Sequence, residues 1–562
     1  MEEQNLERLR GKNADHIKVI LTEFNMKNDD LFNFSTFHVN GCWHAMWRAL
    51  FDILKDDSLF DLHALTLNSV RILTRDKCSL QTEDLEDDVL FLLKMAHLEH
   101  PEAVEVESEA SEAVTSKGSA HEIDTDGASV QSGNFHWSER TTQVVVESLK
   151  CLCNLVFQCA DRRRQCVKSN ITDAILKRIA SSVQHPSCVE FFDMKLLFLI
   201  TAMEPAARTR VQLDLNGVAY MTEWLDEKLT EKEITDEHLD LLCEMLKVMF
   251  NITTNSDKSP NENEIQSRHL TGVIRNLLLN FGEMINDRER NVVMHAINLL
   301  TNISGSCLTE LLIKSESNAP ATCPTIIYEG YNVRALEIIL RYLKGVLDEQ
   351  EQAATSTELI SPVLTLLVKC VRSDRIMRHY IRSVILPPLR NVYKRPEVGD
   401  ELRNHLCRFL TLPELVLRDL ATELLFVCCK ENVARMIKHT GYGNAAGLFA
   451  KRGLLGGRQV ENADYSSDSE DSDTEEYKQV QQNINPVLGC YDAPKQSPFA
   501  GMSEEQKEHE AMQLVSLIDK LHKSGVVQPC RIGEDGKPQP VDHILQLQEE
   551  LPQQQADQKR KT

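Results

Sequence analysis

The sequence predicts an all-α protein built from stacked helical repeats rather than from one compact core. The chain has 562 residues, which is too long for a single hydrophobic core. Gly and Pro are sparse, at 23 and 18 residues, and aromatic residues make up only 6%. Leu, Glu, Lys, Arg and Met are abundant, and these residues favour helices over strands. A short motif also recurs along the chain, which indicates an array of similar helical units.

The recurring motif is an apolar residue, then a basic or amide residue, and a second basic or amide residue four positions later. Polar positions four apart lie on one face of a helix, and the apolar positions cover the opposite face. Armadillo and HEAT units span about 40–47 residues, so the longer intervals between motifs hold an insertion or more than one unit. The four clear copies are segments 70–75, 149–154, 246–251 and 297–302, with a looser copy at 368–373.

The polar column of these helices is the candidate binding surface. In an armadillo-type array the last helix of each unit lines a groove, where such side chains can hydrogen-bond a partner backbone. The alternative interpretation, an ordinary solvated face of a helical stack, stays open at this point. The residues that the pattern puts in the column are Arg71, Arg75, Lys150, Asn154, Lys247, Asn251, Asn298 and Asn302.

We predict an armadillo/HEAT-like superhelix over residues 1–454, interrupted by a disordered acidic loop at 102–134. The loop holds eight carboxylates, one Lys and no Arg, and such a composition cannot bury enough apolar surface to order itself. Residues 455–502 are predicted to be an acidic linker and 525–562 a polar tail. Between them, 503–524 form an amphipathic helix that starts at a capping box on Ser503. Its apolar stripe must be buried against the array or a partner, and it consists of Ala511, Leu514, Val515, Ile518 and Leu521.

Charge and composition exclude several classes of function. A net charge of -23 with a pI near 5.3 repels nucleic acid and anionic membrane surfaces, so a basic or amphipathic protein surface is the expected partner. No apolar run approaches the roughly 18 residues of a membrane span, and the first residues lack a signal-peptide core. The 16 Cys have no zinc-type spacing. We therefore expect a monomeric cytoplasmic protein with free buried thiols and neither a metal nor a cofactor.

Two motifs that could indicate an enzyme are weak. The segment 441–447, Gly-Tyr-Gly-Asn-Ala-Ala-Gly, follows a predicted helix rather than a strand, and its last glycine is one residue too far along for a dinucleotide fingerprint. Its glycines are better explained as helix caps and turn residues. With 16 Cys and 18 His, chance Cys–His pairs are expected, and no nucleophile motif accompanies them. We predict no catalytic residues.

The acidic tract at 465–477 has the pattern of a kinase substrate. Ser467 and Ser472 are each followed three positions later by Glu, which is the spacing an acidophilic kinase recognises. Phosphates there could bind arginines elsewhere in the chain. The alternatives are an unmodified solubilising linker and a merely solvated basic face. The candidate phosphate-docking residues are Arg372, Arg375, Arg378 and Arg382.

Taken in order, these segments resemble the synembryn family, chaperones and exchange factors for heterotrimeric G-protein alpha subunits. The resemblance rests on VRILTRDK at 70, LKCLCNLVFQ at 149, LKVMFNITT at 246, LPPLRNVY at 386 and TGYGNAAGLFAKRGLL at 440. It continues through the acidic tract, NINPVLG at 483 and SEEQKEHEAMQLV at 503. The loop at 102–134 and the first 40 residues depart from the family pattern.

The resemblance implies an armadillo/HEAT-like superhelix whose concave face holds the C-terminal helix of the alpha subunit. It implies a groove at Arg71, Arg75, Asn154, Phe250 and Asn251. It also implies that the C-terminal helix, through Leu514, Val515 and Ile518, embraces the Ras-like domain, and that Ser467 and Ser472 are phosphorylated. Removal of the alpha subunit's own helix would release GDP, the nucleotide-free state would be stabilised, and the alpha subunit would bring the protein to the inner plasma membrane.

A generic armadillo scaffold that binds linear peptides is the alternative function. Importin-type grooves pair Asn with Trp on successive repeats, but the tryptophans of this chain do not lie beside the candidate asparagines in sequence. The acidic tract and the capped C-terminal helix also favour the exchange-factor interpretation, because a plain scaffold needs neither. The four tryptophans are Trp43, Trp47, Trp137 and Trp224.

Overall fold

A computed structural model describes the parts of the chain on which the following sections rest. The described residues are 3–11, 13–32, 42–77, 80, 85–98, 137–181, 183–231, 234–254, 260–315, 325–350, 357–455, 474–493, 501–533 and 535–542. The acidic loop at 102–134, Ser467 and Ser472 lie outside them, so the predictions made there stay predictions. The chain divides into two compact units, Met1–Ile303 and Ser304–Thr562.

All regular secondary structure in the described residues of unit 1 is helical. A 3-10 turn at Asp57–Leu59 and a π-helical turn at Arg210–Asp214 join neighbouring helices. The helices are α1 Glu3–Arg10, α2 Ala14–Asn28, α3 Cys42–Leu54, α4 Phe60–Leu73, α5 Glu86–Met95, α6 Glu139–Gln158, α7 Ala160–Lys168, α8 Ile171–Ile179, α9 Ser187–Met203, α10 Pro205–Thr209, α11 Gly217–Leu229, α12 Asp236–Thr253, α13 Pro260–Phe281 and α14 Asp287–Leu300.

Five of these helices pack one after another and form what we call the helix row. In chain order they are α4, α6, α9, α12 and α14, and each packs against the next. Side-chain caps fix where three of them begin, because Ser138, Thr235 and Asn286 each accept a backbone N–H from the first turn of α6, α12 and α14. Leu, Val, Ile and Met at helical spacing fill the spaces between the helices. This succession confirms the predicted armadillo/HEAT-like class.

Unit 2 combines helices with short antiparallel strand pairs. Its helices are α15 Arg334–Gln350, α16 Thr357–Ser373, α17 Arg375–Ile385, α18 Leu402–Phe409, α19 Leu415–Cys428, α20 Val433–Thr440, α21 Tyr442–Arg452, α22 Glu475–Val480 and α23 Glu504–Lys523, with 3-10 turns at Cys307–Leu311 and Gln481–Asn483. Its strands are β1 Ile313–Lys314, β2 Ile327–Tyr328, β3 Tyr331–Asn332, β4 Ile484–Asn485, β5 Cys490–Tyr491, β6 Cys530–Ile532 and β7 Pro538–Pro540. Strand β3 pairs with β1 and β2, β4 with β5, and β6 with β7.

Unit 2 differs from the predicted domain boundaries in two places. Residues 474–493, predicted as linker, pack on the unit, since Tyr477 is only 7% exposed and contacts Leu389 and Val392. The Tyr491 amide also donates to the Val392 carbonyl at 2.7 Å. In the predicted polar tail, β6 and β7 form a hairpin. Neither feature is predictable from sequence pattern, because segments this short carry no measurable hydrophobic periodicity.

Candidate protein-binding face of the helix row

Three asparagines of the predicted column form hydrogen-bonded rungs between successive helices of unit 1. Asn154 Nδ2 donates to the Arg71 carbonyl at 3.1 Å and to the Thr74 hydroxyl at 3.1 Å. Asn251 makes the same pair of bonds to Phe198 and Thr201, at 3.2 and 3.1 Å. Because both N–H groups of each amide are used inside the protein, only the Oδ1 atoms remain to accept a donor from a partner.

The third rung follows the same rule. Asn302 Nδ2 donates to the Phe250 carbonyl at 2.8 Å and to the hydroxyls of Thr253 and Thr254 at 3.0 and 3.2 Å. Each acceptor carbonyl thus belongs to the residue three positions before a threonine near the end of a helix. Each rung adds a donor to a carbonyl that also accepts the hydroxyl of the threonine three residues later, and the rungs tie neighbouring helices together in a fixed register.

The rungs correct the register that the sequence motif suggested for its first copy. Arg71, Phe198 and Phe250 are the three rung acceptors, so they occupy equivalent positions in their helices. The motif instead aligned Arg71 with Lys150, which is one helical turn away from the equivalent position. The error arose because basic residues occur on this face at more than one turn, and a six-residue pattern cannot distinguish between them.

Helix α9 belongs to the row and was missed by the motif. It lies in the long interval between Asn154 and Asn251, which accordingly holds a second unit. Its Lys195 precedes the rung acceptor Phe198 by three residues, as Lys247 precedes Phe250. The position that is Asn251 in α12 is Leu199 in α9, so the search for a second polar residue failed there. A Lys-x-x-Phe pattern would have found both helices.

Lysines of the row stack on phenylalanines of a neighbouring helix. Lys150 Nζ lies 5.2 Å from the centroid of the Phe192 ring, and Lys247 Nζ lies 4.9 Å from that of Phe198. Both lysines also pair with a glutamate three residues earlier on their own helix, at 2.7 and 2.6 Å. Phe250 is 36% exposed. The face therefore combines Lys–Glu pairs with aromatic rings, and Phe250 among these rings is partly exposed.

The arginines at the start of the row are held by the chain itself. Arg71 Nη2 lies 3.1 Å from Asp29 Oδ1, and the Arg75 guanidinium donates to the Asp29 carbonyl and lies 5.1 Å from the Phe32 ring centroid. Burial lowers the pKa of Arg75, with the charge of Arg71 as the second cause. A partner that binds these guanidinium groups has to compete with the segment 29–32.

The far end of the row is less charged. Helix α14 carries half-buried Asn298, and one turn earlier His295. Burial, and secondly the charge of Lys247, lower the pKa of His295 to about 4. His295 is therefore neutral at physiological pH. The assignment of Asn298 and the other column residues to partner contacts stays a prediction.

Helix α23 presents its apolar stripe to solvent. Ser503 and Gln506 form the predicted capping box, with the Ser503 side chain accepting the Gln506 amide at 3.3 Å. None of the twenty residues of the helix is buried. The side chains of Leu514 and Leu521 are 59% and 43% exposed, and Val515 and Ile518 are half-buried. The helix is amphipathic as predicted, but its stripe is not covered by the described parts of the chain.

The predicted phosphate-docking arginines do not form one open basic face. Arg372 lies in the last turn of α16 and pairs with Glu423, whereas Arg375 begins α17 and lies 3.1 Å from Glu329. Arg378 Nη1 donates to a carbonyl in the last turns of α16 at 3.1 Å. Phosphate would have to displace carboxylates to bind here, so a docking role stays a prediction. The residues concerned are Arg372, Arg375, Arg378 and Arg382.

Chemistry-bearing groups give no alternative site within the described residues. Burial raises the pKa of Cys153, Cys166 and Cys428 to about 12, which keeps these thiols protonated. No group of three or more His, Cys, Asp or Glu side chains in the described ranges is arranged to hold a metal ion. No helix among these residues is both long and apolar enough to cross a membrane.

These features define a helical-repeat protein with a candidate cation–aromatic face and, among the described residues, an uncovered amphipathic helix. Residues 66–537 match the model of the family described as guanine nucleotide exchange factor synembryn. The chain is 57% identical to "Chaperone Ric-8" of Drosophila melanogaster over 100% of both chains. It is 36% identical to "Chaperone Ric-8A" of Gallus gallus over 85% of each. The chain belongs to the synembryn (Ric-8) family.

A solved structure gives a weaker comparison. A designed armadillo repeat protein aligns with a TM-score of 0.32 and 11% identity, covering 51% of this chain and 94% of that protein. A likeness of this level carries no argument about function.

Proposed function

We propose that this chain is a receptor-independent guanine nucleotide exchange factor and folding chaperone for G-protein alpha subunits. The helix row binds the C-terminal helix of the alpha subunit, and α23 grips the Ras-like domain. Membership of a family whose relatives are named as chaperones, and whose description is guanine nucleotide exchange factor, is the observation that carries the proposal.

The chemistry of the row supports a helical ligand that ends in a carboxylate. The C-terminus of a helix is negative because of its macrodipole, and the terminal carboxylate adds a full charge. Lys150, Lys195 and Lys247 supply cations at intervals along the row, and Phe198 and Phe250 supply apolar contacts beside them. The free Oδ1 atoms of Asn154 and Asn251 accept N–H groups of the partner.

Exchange follows from differential binding. An alpha subunit holds GDP in a pocket that its own C-terminal helix helps to support. If the row binds that helix, the pocket loses support and GDP dissociates. The row must bind the nucleotide-free state more tightly than the GDP state, since a protein with equal affinity for both would shift nothing. The same grip shelters a newly made alpha subunit that has no nucleotide, and binding of GTP then releases it. No covalent bond is made or broken.

The proposal also includes phosphorylation of the acidic tract and recruitment to the membrane. An acidophilic kinase phosphorylates Ser467 and Ser472, and the phosphates compete for the arginines around Arg372. The protein acts as a monomer in the cytoplasm and reaches the inner plasma membrane by binding an alpha subunit.

The test is GDP release from purified alpha subunits, measured with and without the protein. We expect faster release that disappears with an alpha subunit lacking its C-terminal helix. The double variant Lys195→Ala, Lys247→Ala should weaken binding about tenfold, equivalent to about 1.4 kcal/mol. Lys168→Ala is the matched control, because Lys168 is exposed on α7, outside the row.

Two results would contradict the proposal. The first is no acceleration and no complex with any nucleotide-free alpha subunit, which would leave a generic armadillo scaffold that binds linear peptides. The second is equal behaviour of the double variant and Lys168→Ala, which would remove the helix row from the mechanism.

A further inference from the structure

Both ends of α21 carry a glycine that contacts a second glycine from further along the chain. Gly441 precedes the helix and meets Gly489, whereas Gly453 follows the helix and meets Gly536. All four have a positive φ, between +67° and +74°. The first contact includes the start of segment 441–447, which does not fit a dinucleotide-binding motif.

The first contact is made by backbone atoms. A Cβ on Gly489 would lie 2.9 Å from the Cα and N atoms of Gly441, closer than real side chains come. The amides of Tyr442 and Gly443 donate to the carbonyls of Pro486 and Val487 at 2.8 and 3.0 Å. N–H groups in the first turn of a helix have no partner within that helix. At the start of α21 they donate instead to the turn between β4 and β5.

The second contact is tighter. A Cβ on Gly453 would lie 2.6 Å from the Asp535 carbonyl oxygen, and a Cβ on Gly536 would overlap the carbonyl group of Gly453. The Leu455 amide donates to the Gly536 carbonyl at 3.3 Å. Only glycine allows this approach in this backbone conformation. The hairpin of β6 and β7 is thereby fastened to the end of α21.

Helix α23 lies in the chain between these two fastening points. We propose that α21 is the double anchor of a closed strap, and that the contacts of Gly441 with Gly489 and of Gly453 with Gly536 keep α23 tied at both ends. The two anchors lie at opposite ends of α21, which has eleven residues and is about 16 Å long. Chain segments tied at both ends explore far less space than a tail tied at one end.

The strap has a consequence for the partner that α23 grips, and this consequence rests on the proposed function. A helix held at both ends has a high effective concentration at the partner surface, and ordering it loses less entropy. The exposed leucines of α23 are therefore presented without being buried. Releasing one anchor should leave both units folded and shorten the lifetime of the complex.

The experiment compares two single substitutions in the full-length protein, Gly536→Ala and Gly525→Ala. Gly525 has a φ of +73°, against +74° for Gly536, but a Cβ there would meet nothing within 4 Å. Both variants thus carry the same backbone strain, and only Gly536→Ala pushes against α21. Hydrogen exchange of the Leu455 amide reports the anchor directly. Dissociation of a nucleotide-free alpha subunit reports the grip.

For Gly536→Ala we expect Leu455 exchange to rise about tenfold and the complex to dissociate several-fold to about tenfold faster. Gly525→Ala should change neither. Equal Leu455 exchange in the two variants would overturn the anchor, and faster exchange with an unchanged dissociation rate would overturn the strap's role. Absence of any wild-type complex would instead contradict the proposed function, while the Leu455 result would still decide the anchor. Thermal unfolding of both variants checks that the units stay folded.

Discussion

Helices α12 and α23 have similar lengths and amphipathic sequences, yet α12 is packed between other helices and α23 is exposed to solvent. Helix α12 lies between α9 and α14 and buries ten of its eighteen residues. Helix α23 has twenty residues and buries none. The difference shows that an apolar stripe indicates a surface that must be buried, without indicating what buries it. In α12 the cover is the repeat array, and in α23 we propose that it is a partner.

The sharpest test of this comparison is to truncate one apolar residue on each helix. Met249 is fully buried in α12, so Met249→Ala should lower the free energy of unfolding by about 2–5 kcal/mol through lost contacts and a cavity. Leu514→Ala on α23 should change it by less than about 0.5 kcal/mol. Urea denaturation followed by circular dichroism measures both. A similar loss in the two variants would mean that α23 is packed in solution and would end the comparison.

A second test exchanges an amide for an acid on each helix. Asn251→Asp replaces the Nδ2 donor by an oxygen that faces the Phe198 carbonyl, so we expect a loss of about 2–3 kcal/mol. Gln513→Glu on α23 is the matched change, since Gln513 is exposed and its side chain lies 3.0 Å from exposed His509. It should have an effect below about 0.5 kcal/mol. Urea denaturation at neutral pH is again the measurement, and an Asn251→Asp variant as stable as Gln513→Glu would show that the rung does not stabilise the row.

The smallest expected effect is a dependence on pH. Because the pKa of His295 is lowered to about 4 from an ordinary value near 6.5, the unfolded chain binds more protons than the folded chain between these values. Stability is therefore complete above pH 6.5 and is lost as the pH falls towards 4. The wild type should lose about 1–2 kcal/mol more than His295→Gln between pH 7 and pH 5.

The matched control for that experiment is His509→Gln, which removes an exposed imidazole of α23 and leaves His295 in place. Free energies of unfolding from urea titrations at several pH values measure the difference. Identical profiles for the wild type and His295→Gln would show that His295 is not buried next to Lys247 in solution.

The sequence was a good guide to helices and a poorer guide to register. Helix starts at Thr235, Asn286 and Ser503 carry cap residues that act locally, so they are visible without a fold. The place of Arg71 in its row, by contrast, depends on which residue of the next helix meets it. Helix α9 was missed for a different reason, because Leu199 stands where the motif required a basic or amide residue.

The glycines show a different limit. Gly441 was interpreted as a cap or turn residue, and it does precede α21, whereas no role was predicted for Gly453, which follows that helix. Their partners Gly489 and Gly536 lie 48 and 83 residues further along the chain, and no local pattern links them. The need for glycine at these positions is apparent only in the folded structure, where a Cβ would clash with the backbone of the other segment.

The sequence alone determined the all-α repeat class, the capped C-terminal helix and the family, because helical periodicity, capping and family motifs are properties of neighbouring residues. Tertiary structure decided that the amide nitrogens of Asn154, Asn251 and Asn302 bind their own scaffold. It also decided that Arg372 and Arg375 pair with carboxylates and that the described parts of the chain leave α23 uncovered. The physical reason is that hydrogen bonds and burial depend on which distant segments meet, and those meetings are set by the packing of whole helices.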